Sequence, residues 1–214
     1  LISLISGHGM IIALFTKCNT GYVKGNDEAK MDQSRGLPLG SELPDFWLPD
    51  INGVIVPKEL LIGGPASLVV FMCNHSPYVK HIREVLVKVI WEYQQRGISV
   101  VAINPNDINL SPEDCPNRMK EEARLYGYTF PYLFDGTQSV ARSFNVLFTP
   151  DFFVFDREGK LAYHGQMDDS RPENNLPVTG KDLRDALNAA ILGEKPPSIQ
   201  KPSSGSVIRW RKQM

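Results

Sequence analysis

Cys73-Asn74-His75-Ser76-Pro77-Tyr78 is the segment of this chain whose residue types and spacing can do chemistry. It follows directly on Ser67 to Met72 (SLVVFM), an unbroken apolar run of the kind that forms a strand buried on both faces. It precedes a stretch with apolar residues three and four apart, so Cys73 stands where a buried strand hands over to a helix N-terminus. Unpaired amides and the positive end of the helix dipole stabilise a thiolate over a thiol at such a place. Ser76, one turn along, is placed to donate its hydroxyl to that sulfur, and a protonated His75 adds positive charge nearby. The plainer alternative is a small apolar cysteine at a strand end. The position at the junction favours the reactive sulfur.

A second element is Thr149-Pro150, immediately ahead of the apolar run Asp151 to Phe155. Proline has no amide hydrogen and is rare inside a central strand, so at a strand entry it marks a turn or a cis peptide. A cis peptide here would hold the preceding backbone open to an extended chain approaching the sulfur, and the alternative is a plain loop proline. Asn74, Pro77, Thr149 and Pro150 are therefore the expected substrate-binding residues. Cys115 follows the second parallel strand, on the same sheet edge as Cys73. It is a remote resolving partner only if the two Cα atoms come within about 7 Å; the alternative is an incidental loop cysteine before Pro116. No metal and no cofactor are expected. Cys73, His75 and His81 offer sulfur and imidazole, but Cys-x-His is too tight for a structural zinc set and no second pair exists. His81 is expected to face solvent and His164, at a strand end, to be structural.

The elements that must position these groups follow from periodicity. Leu43 to Leu48 and Val54 to Val56 read as two short strands joined by a turn at Asn52-Gly53. A long helix after Cys73 carries Val79, Ile82, Leu86, Val89 and Tyr93 on one stripe, and Gly97 ends it. Ile98 to Ile103 is a second buried strand, Pro112 to Tyr126 a helix, Tyr132 to Phe134 a strand and Thr137 to Phe144 a helix. Asp151 to Phe155 and Leu161 to Tyr163 are strands of a hairpin turning at Arg157 to Lys160, and Gly180 to Leu192 is the last helix. Early alternation of strand and helix followed by a late hairpin predicts a mixed central sheet in a three-layer α/β/α sandwich, with an N-terminal β-hairpin extension. The expected division is an N-terminal extension, tag or leader over residues 1–38, one domain over 39–193, and a Pro/Ser-rich tail over 194–214.

Composition bounds the function. The chain has 214 residues, is 42% apolar and 22% charged, and carries a net charge of -1. That length buries a sizeable core without covalent staples. The near-zero charge argues against nucleic-acid partners, and the cluster Arg209, Arg211 and Lys212 reads as a solvated end. Three cysteines, Cys18, Cys73 and Cys115, are too few for a disulfide framework. No apolar run spans a bilayer, so membrane insertion is not expected; Met10 to Phe15 is short with no basic stretch before it, which disfavours a signal peptide and leaves a leader as one option for this end. A cytoplasmic location is expected, with the periplasm as the alternative.

With both elements placed, the chain resembles the thioredoxin superfamily, in its AhpC/TSA-type (redoxin) branch. The stretches FMCNHSPYVKHIRE, VVAINPND, YGYTFPYLFD, TPDFFVFD and GQMDDSRP, in that order between Leu39 and Trp210, carry the resemblance. It implies a thioredoxin fold. Members usually read CNHCPYVKHI, so Cys73 corresponds to the nucleophile, Ser76 replaces the resolving cysteine, and Thr149-Pro150 corresponds to the cis-proline segment. Gln166, Asp168, Asp169 and Arg171 match a polar loop of the branch, and Ser206 stands where a C-terminal cysteine is common. The departures bear on mechanism. A serine cannot resolve a mixed disulfide. Ser67 to Met72 has no buried acid. Ala66 and Val70 occupy the positions of proline and threonine in the peroxiredoxin pattern PxxxTxxC. The expected function is a thiol–disulfide oxidoreductase, of antioxidant type, with Cys73, His75 and Ser76 as catalytic residues, resolved by an external thiol and acting on protein or low-molecular-weight thiols and disulfides. The alternatives are a redox-inactive binding module of the same fold and a thiol peroxidase with Cys73 as the peroxidatic cysteine.

Overall fold

The computed structural model describes residues 28–30, 36–195 and 200–212. In chain order the elements are β1 (Glu28–Lys30), β2 (Trp47–Pro49), β3 (Ile55–Pro57), β4 (Ser67–Phe71), α1 (Pro77–Gln94), β5 (Ser99–Asn104), α2 (Pro116–Tyr126), β6 (Tyr132–Phe134), α3 (Ser139–Ser143), β7 (Phe148–Thr149), β8 (Asp151–Phe155), β9 (Leu161–Gly165), α4 (Lys181–Leu192) and β10 (Ser204–Val207). Five strands form the central sheet in the order β6-β5-β4-β8-β9. β4, β5 and β6 run parallel, and β8 and β9 are antiparallel to their neighbours, as the alternation followed by a hairpin predicts.

The pleat sorts the core. Leu68, Val70 and Met72 point to one face, where they meet Val79, Ile82, Leu86 and Val89 of α1, Leu183, Ala186 and Leu187 of α4 and Met119 of α2. Val69 and Phe71 point to the other face, against Phe46 and Leu48 of the N-terminal hairpin and Val140, Ala141 and Phe144 of and after α3. Both faces of β4 are covered, which is why its sequence is continuously apolar rather than alternating. The hairpin forms, with its first strand at Trp47–Pro49, shorter than the expected Leu43 to Leu48, and its second at Ile55–Pro57. β2 and β3 pair antiparallel, and the Asp50 carboxylate accepts the Asn52 and Val54 amides at 2.8 Å while Gly53 takes a φ of +82°. Gly97, at φ +85°, turns the chain from α1 into β5.

Two further expectations change. The helix expected over Thr137 to Phe144 contracts to Ser139–Ser143, because Gln138 adopts a left-handed backbone and the Asp135 carboxylate takes the Ala141 amide. The stretch expected to trail away as a tail instead lies along the body. β10 is the middle strand of a separate three-stranded sheet, β1-β10-β7, and Ile208 is buried in the core. The Arg142 guanidinium sits 4.5 Å from the centre of the Trp210 ring, so Trp210 is docked, while Arg211 and Lys212 beyond it are exposed as expected and Arg209 is half-buried. Cys18, Met10 to Phe15 and most of the N-terminal extension lie outside the described residues.

Phe144 is wholly buried and meets Phe71, Phe153 and Phe155 edge-on, with centroids 5.1, 5.2 and 6.1 Å away. Phe144→Ala is expected to cost about 3–5 kcal/mol in urea unfolding by opening a cavity that the surrounding rigid rings cannot close. A loss below about 1 kcal/mol would show that this half of the core repacks freely.

Candidate active site

β4 ends at Phe71, and the next five residues form the loop that delivers the chain to α1. Ser76 is the N-cap of that helix and Pro77 its first residue. Cys73 therefore stands three residues ahead of the cap, at the carboxyl end of the sheet's central strand. Its side chain is fully buried, as are Ser76 and, nearly so, Asn74; His75 is partly open to solvent and Pro77 exposed.

The loop is held by a carboxylate 40 residues along the chain. Asp114, itself fully buried, sits on the short 3-10 turn Pro112–Asp114 that leads into α2. Its Oδ1 accepts the Asn74 amide at 2.7 Å, and its Oδ2 accepts the Asn106 side-chain amide at 2.8 Å and faces His75 Nδ1 at 2.5 Å. The Asn74 side chain donates to the Glu113 carbonyl at 2.8 Å and accepts from the Tyr132 hydroxyl at 3.0 Å. Cysteine sulfur, histidine nitrogen and carboxylate oxygen all lie within 4.8 Å of one another. Burial disfavours charge on His75. It is outweighed by the hydrogen bond to Asp114, by the Cys73 sulfur and by the negative charge of both, and the imidazole pKa is pushed up to about 10. His75 is thus an imidazolium at neutral pH, held beside the sulfur.

The sulfur's partner on the opposite strand is Thr149, whose Oγ1 lies 3.1 Å from Cys73 Sγ. The Thr149-Pro150 peptide is cis, one of the two forms expected at this strand entry. The Ser76 hydroxyl is not turned to the sulfur as expected. It donates to the Thr149 carbonyl at 3.1 Å, accepts the Val79 amide at 3.5 Å, and lies 2.9 Å from Ser206 Oγ. A hydroxyl has one proton, so Ser206 is the donor in that last bond. The reason is the cap: the Ser76 oxygen is committed to closing the first turn of α1 and to joining three segments.

Cys115 is disulfide-bonded and Cys73 is a free thiol, so the remote pairing between the two is not formed. The trio expected to be too tight for zinc is not assembled as such either. His81 lies half-buried along a small pocket with Tyr78, Pro150, Gln166 and Arg171, not facing open solvent. His164 is structural as expected, with Nε2 at 3.0 Å from Asp151 Oδ2 and its ring stacked on Phe153. The polar loop gains a role. Asp168 accepts the Thr179 and Gly180 amides at 2.6 Å each, closing the entry to α4. Burial would raise its pKa, but the Ser170 hydroxyl and the three amides bonded to it hold it below the ordinary carboxylate value. Arg171 in turn donates to the Asp168 carbonyl at 2.7 Å and to Gln166. Asp114 is the site residue that the sequence does not reveal. Nothing marks it but its place next to Cys115, and its partners in the Cys73 loop are 39 and 40 residues upstream.

The family model described as AhpC/TSA matches residues 39–164. A hypothetical protein of Sinorhizobium meliloti 1021 is 45% identical, its crystal structure matching with a TM-score of 0.81 over 83% of this chain and 97% of that one. An uncharacterized conserved protein of Geobacillus kaustophilus is 44% identical, with a TM-score of 0.82 over 88% of this chain and 97% of that one. The thiol-disulfide oxidoreductase ResA of Bacillus subtilis (strain 168) is 25% identical over 154 residues, 72% of this chain and 79% of that protein.

Two outcomes check the geometry. Asp114→Ala strands the Asn74 amide and the His75 charge and is expected to cost about 3–5 kcal/mol in denaturant unfolding. For His75 the folded pKa lies above the ordinary value, so the stability it adds is fully present below about pH 6.5 and lost as the pH rises to about 10. The gap in urea midpoint between the unmodified chain and His75→Gln is expected to be largest near pH 6 and to close by about pH 10. A gap independent of pH would show that His75 is not charged.

Proposed function

This chain belongs to the AhpC/TSA family, and from that premise we propose that it is a thiol–disulfide oxidoreductase working through a single sulfur, Cys73. The observation that carries the reading is the triad Cys73, His75 and Asp114, with an imidazolium held against the sulfur by a buried carboxylate. The ResA relatives, named for the same activity, support it. In the proposed cycle the Cys73 thiolate attacks one sulfur of a substrate disulfide. A new bond forms between Cys73 and that sulfur, the substrate S–S bond breaks, and the departing thiolate takes the proton of the His75 imidazolium. Thr149 donates its hydroxyl to the Cys73 sulfur while that sulfur is an anion. An external thiol then gives its proton to the neutral His75 and, as its thiolate, attacks the mixed disulfide, carries away the substrate sulfur as a new disulfide and returns Cys73 as the thiolate beside the imidazolium. Ser76 takes no part as a nucleophile; it positions the loop.

The disulfide at Cys115 supports an oxidising compartment over the cytoplasmic location expected from composition. No helix among the described residues is long and apolar enough to cross a membrane. A binding module with an inert thiol is the second reading, favoured by the full burial of Cys73.

Hydroxyethyl disulfide reduction with glutathione as the external thiol tests the cycle. Turnover that disappears in Cys73→Ser is expected. His75→Ala is expected to slow alkylation of Cys73 by iodoacetamide at pH 7 at least tenfold, or about 1.4 kcal/mol of lost charge stabilisation. Equal alkylation rates with and without His75 would favour the inert thiol.

A further inference from the structure

The strand edge beside the nucleophile is already occupied by this chain. Thr149, whose hydroxyl touches the sulfur, belongs to β7, and β7 pairs antiparallel with β10, placing Ser206 opposite Thr149 and Val207 opposite Phe148. An extended polypeptide approaching Cys73 by adding a strand at this edge would need the hydrogen-bonding positions that residues 204–207 hold. The fit is close. A Cβ on Gly205 would lie 2.3 Å from the Thr149 carbonyl oxygen and 3.1 Å from Pro150 N, so only glycine lets β10 sit this tightly on the Thr149-Pro150 peptide. Ser206 adds a side-chain latch to Ser76 at the start of α1.

The occupant is clamped on both sides. Upstream, the Ser203 hydroxyl lies 2.6 Å from Asp151 Oδ1 and 2.7 Å from the Gly165 carbonyl oxygen, sharing its one proton between these two acceptors, and the Lys201 carbonyl accepts the Gln166 amide at 3.0 Å. Downstream, Ile208 is buried, its amide bonded to the Leu147 carbonyl at 2.9 Å, and the Arg209 amide donates to Asn106 Oδ1 at 2.8 Å. Asn106 also holds Asp114, so the strap and the triad share a residue. Cys73 itself is fully buried, and the residues of its loop that reach solvent are His75, in part, and Pro77.

Resting on the reading of Cys73 as the nucleophile, we propose that β10 acts as a built-in selectivity filter, filling the place of a polypeptide strand so that the site takes low-molecular-weight disulfides and excludes extended protein ones. Cys73 being fully buried, a small disulfide meets the sulfur once the partly exposed His75–Pro77 loop gives way locally, with β10 left in place. A polypeptide disulfide reaches the sulfur only after residues 204–207 have left Thr149. The step on the sulfur is the same in both cases: Cys73 forms one S–S bond, the substrate S–S bond breaks, and the leaving thiolate is protonated by His75.

The test compares the rate of Cys73 with 4,4′-dithiodipyridine and with a linear peptide carrying an internal disulfide, each divided by the rate of the same reagent with glutathione, and with Cys73→Ser as background. The expected result is a preference for the small disulfide of at least a hundredfold in the unmodified chain, falling at least tenfold in Gly205→Val, where the strand is pushed off the Thr149 carbonyl. Should Gly205→Val fail to fold, amide exchange at Ser206 and Val207 in the unmodified chain gives the opening rate of β10. The peptide reaction is then expected to saturate with peptide concentration at that rate. Equal normalised rates for the two disulfides, an unchanged preference in folded Gly205→Val, or a peptide reaction faster than β10 opening would each overturn the filter while leaving Cys73 a nucleophile. Inertness toward both reagents would overturn the nucleophile itself, and the filter with it.

Discussion

A carboxylate buried without partners is too costly to keep, and the site is organised around the way Asp114 avoids that cost. With no solvent access it must gather donors, and those it gathers are the Asn74 amide, the Asn106 side chain and His75. Each of them fixes something else. The Asn74 amide bond sets the path of the loop from β4 into α1, and with it the position of Cys73. The His75 bond keeps an imidazolium in a place where burial alone would discharge it. Asn106, through its own oxygen, takes the Arg209 amide and so ties the C-terminal segment to the same point. One anion thereby couples the 3-10 turn before α2, the Cys73 loop and the C-terminal segment.

Thr149 is the counterpart on the other side of the sulfur. Its hydroxyl meets Cys73, its carbonyl accepts Ser76, and its backbone pairs with β10. The neighbouring cis peptide turns the chain directly into β8, the strand packed beside β4. Cys73 therefore lies between two arms that come from the two strands flanking β4, one following β5 and one preceding β8. Its full burial is a consequence of that closure, whereas a loop open to solvent would have left it exposed.

Much of this is legible in the sequence where the signal is local. Ser67 to Met72 is continuously apolar because both faces of β4 are covered, and the stripe from Val79 to Tyr93 is the inner face of α1, so the strand–helix junction at Cys73 can be read directly. Thr149-Pro150 stands out because proline at a strand entry leaves few conformations. Asp114 is not legible, since its role depends on residues 39 and 40 positions away, and an aspartate before a helix ordinarily reads as a capping residue. The strap is hidden for a related reason. Lys201 to Val207 is small and polar, a composition typical of loose ends, yet serine and glycine are what close approach to another backbone demands. At Gly205 the Thr149 carbonyl oxygen would be only 2.3 Å from any Cβ. Ser76 departs from its expected bond to the sulfur because the helix N-cap makes a competing demand on the same oxygen, one that nearness along the chain does not convey.

The choice of hydroxyls at 76 and 206 has a chemical consequence that follows from their geometry. Their oxygens meet at 2.9 Å across the seam between α1 and β10, so the latch between Cys73 loop and strap is a hydrogen bond. A hydrogen bond of this kind contributes about 1 kcal/mol and is indifferent to redox potential, whereas a disulfide in the same place would open and close with the thiol pool. With Cys115 bonded elsewhere, sulfur chemistry at this seam is confined to Cys73. In the proposed cycle the oxidation state of Cys73 would change without changing what holds β10 on Thr149, and access to the sulfur would be set by packing and strand pairing in both halves.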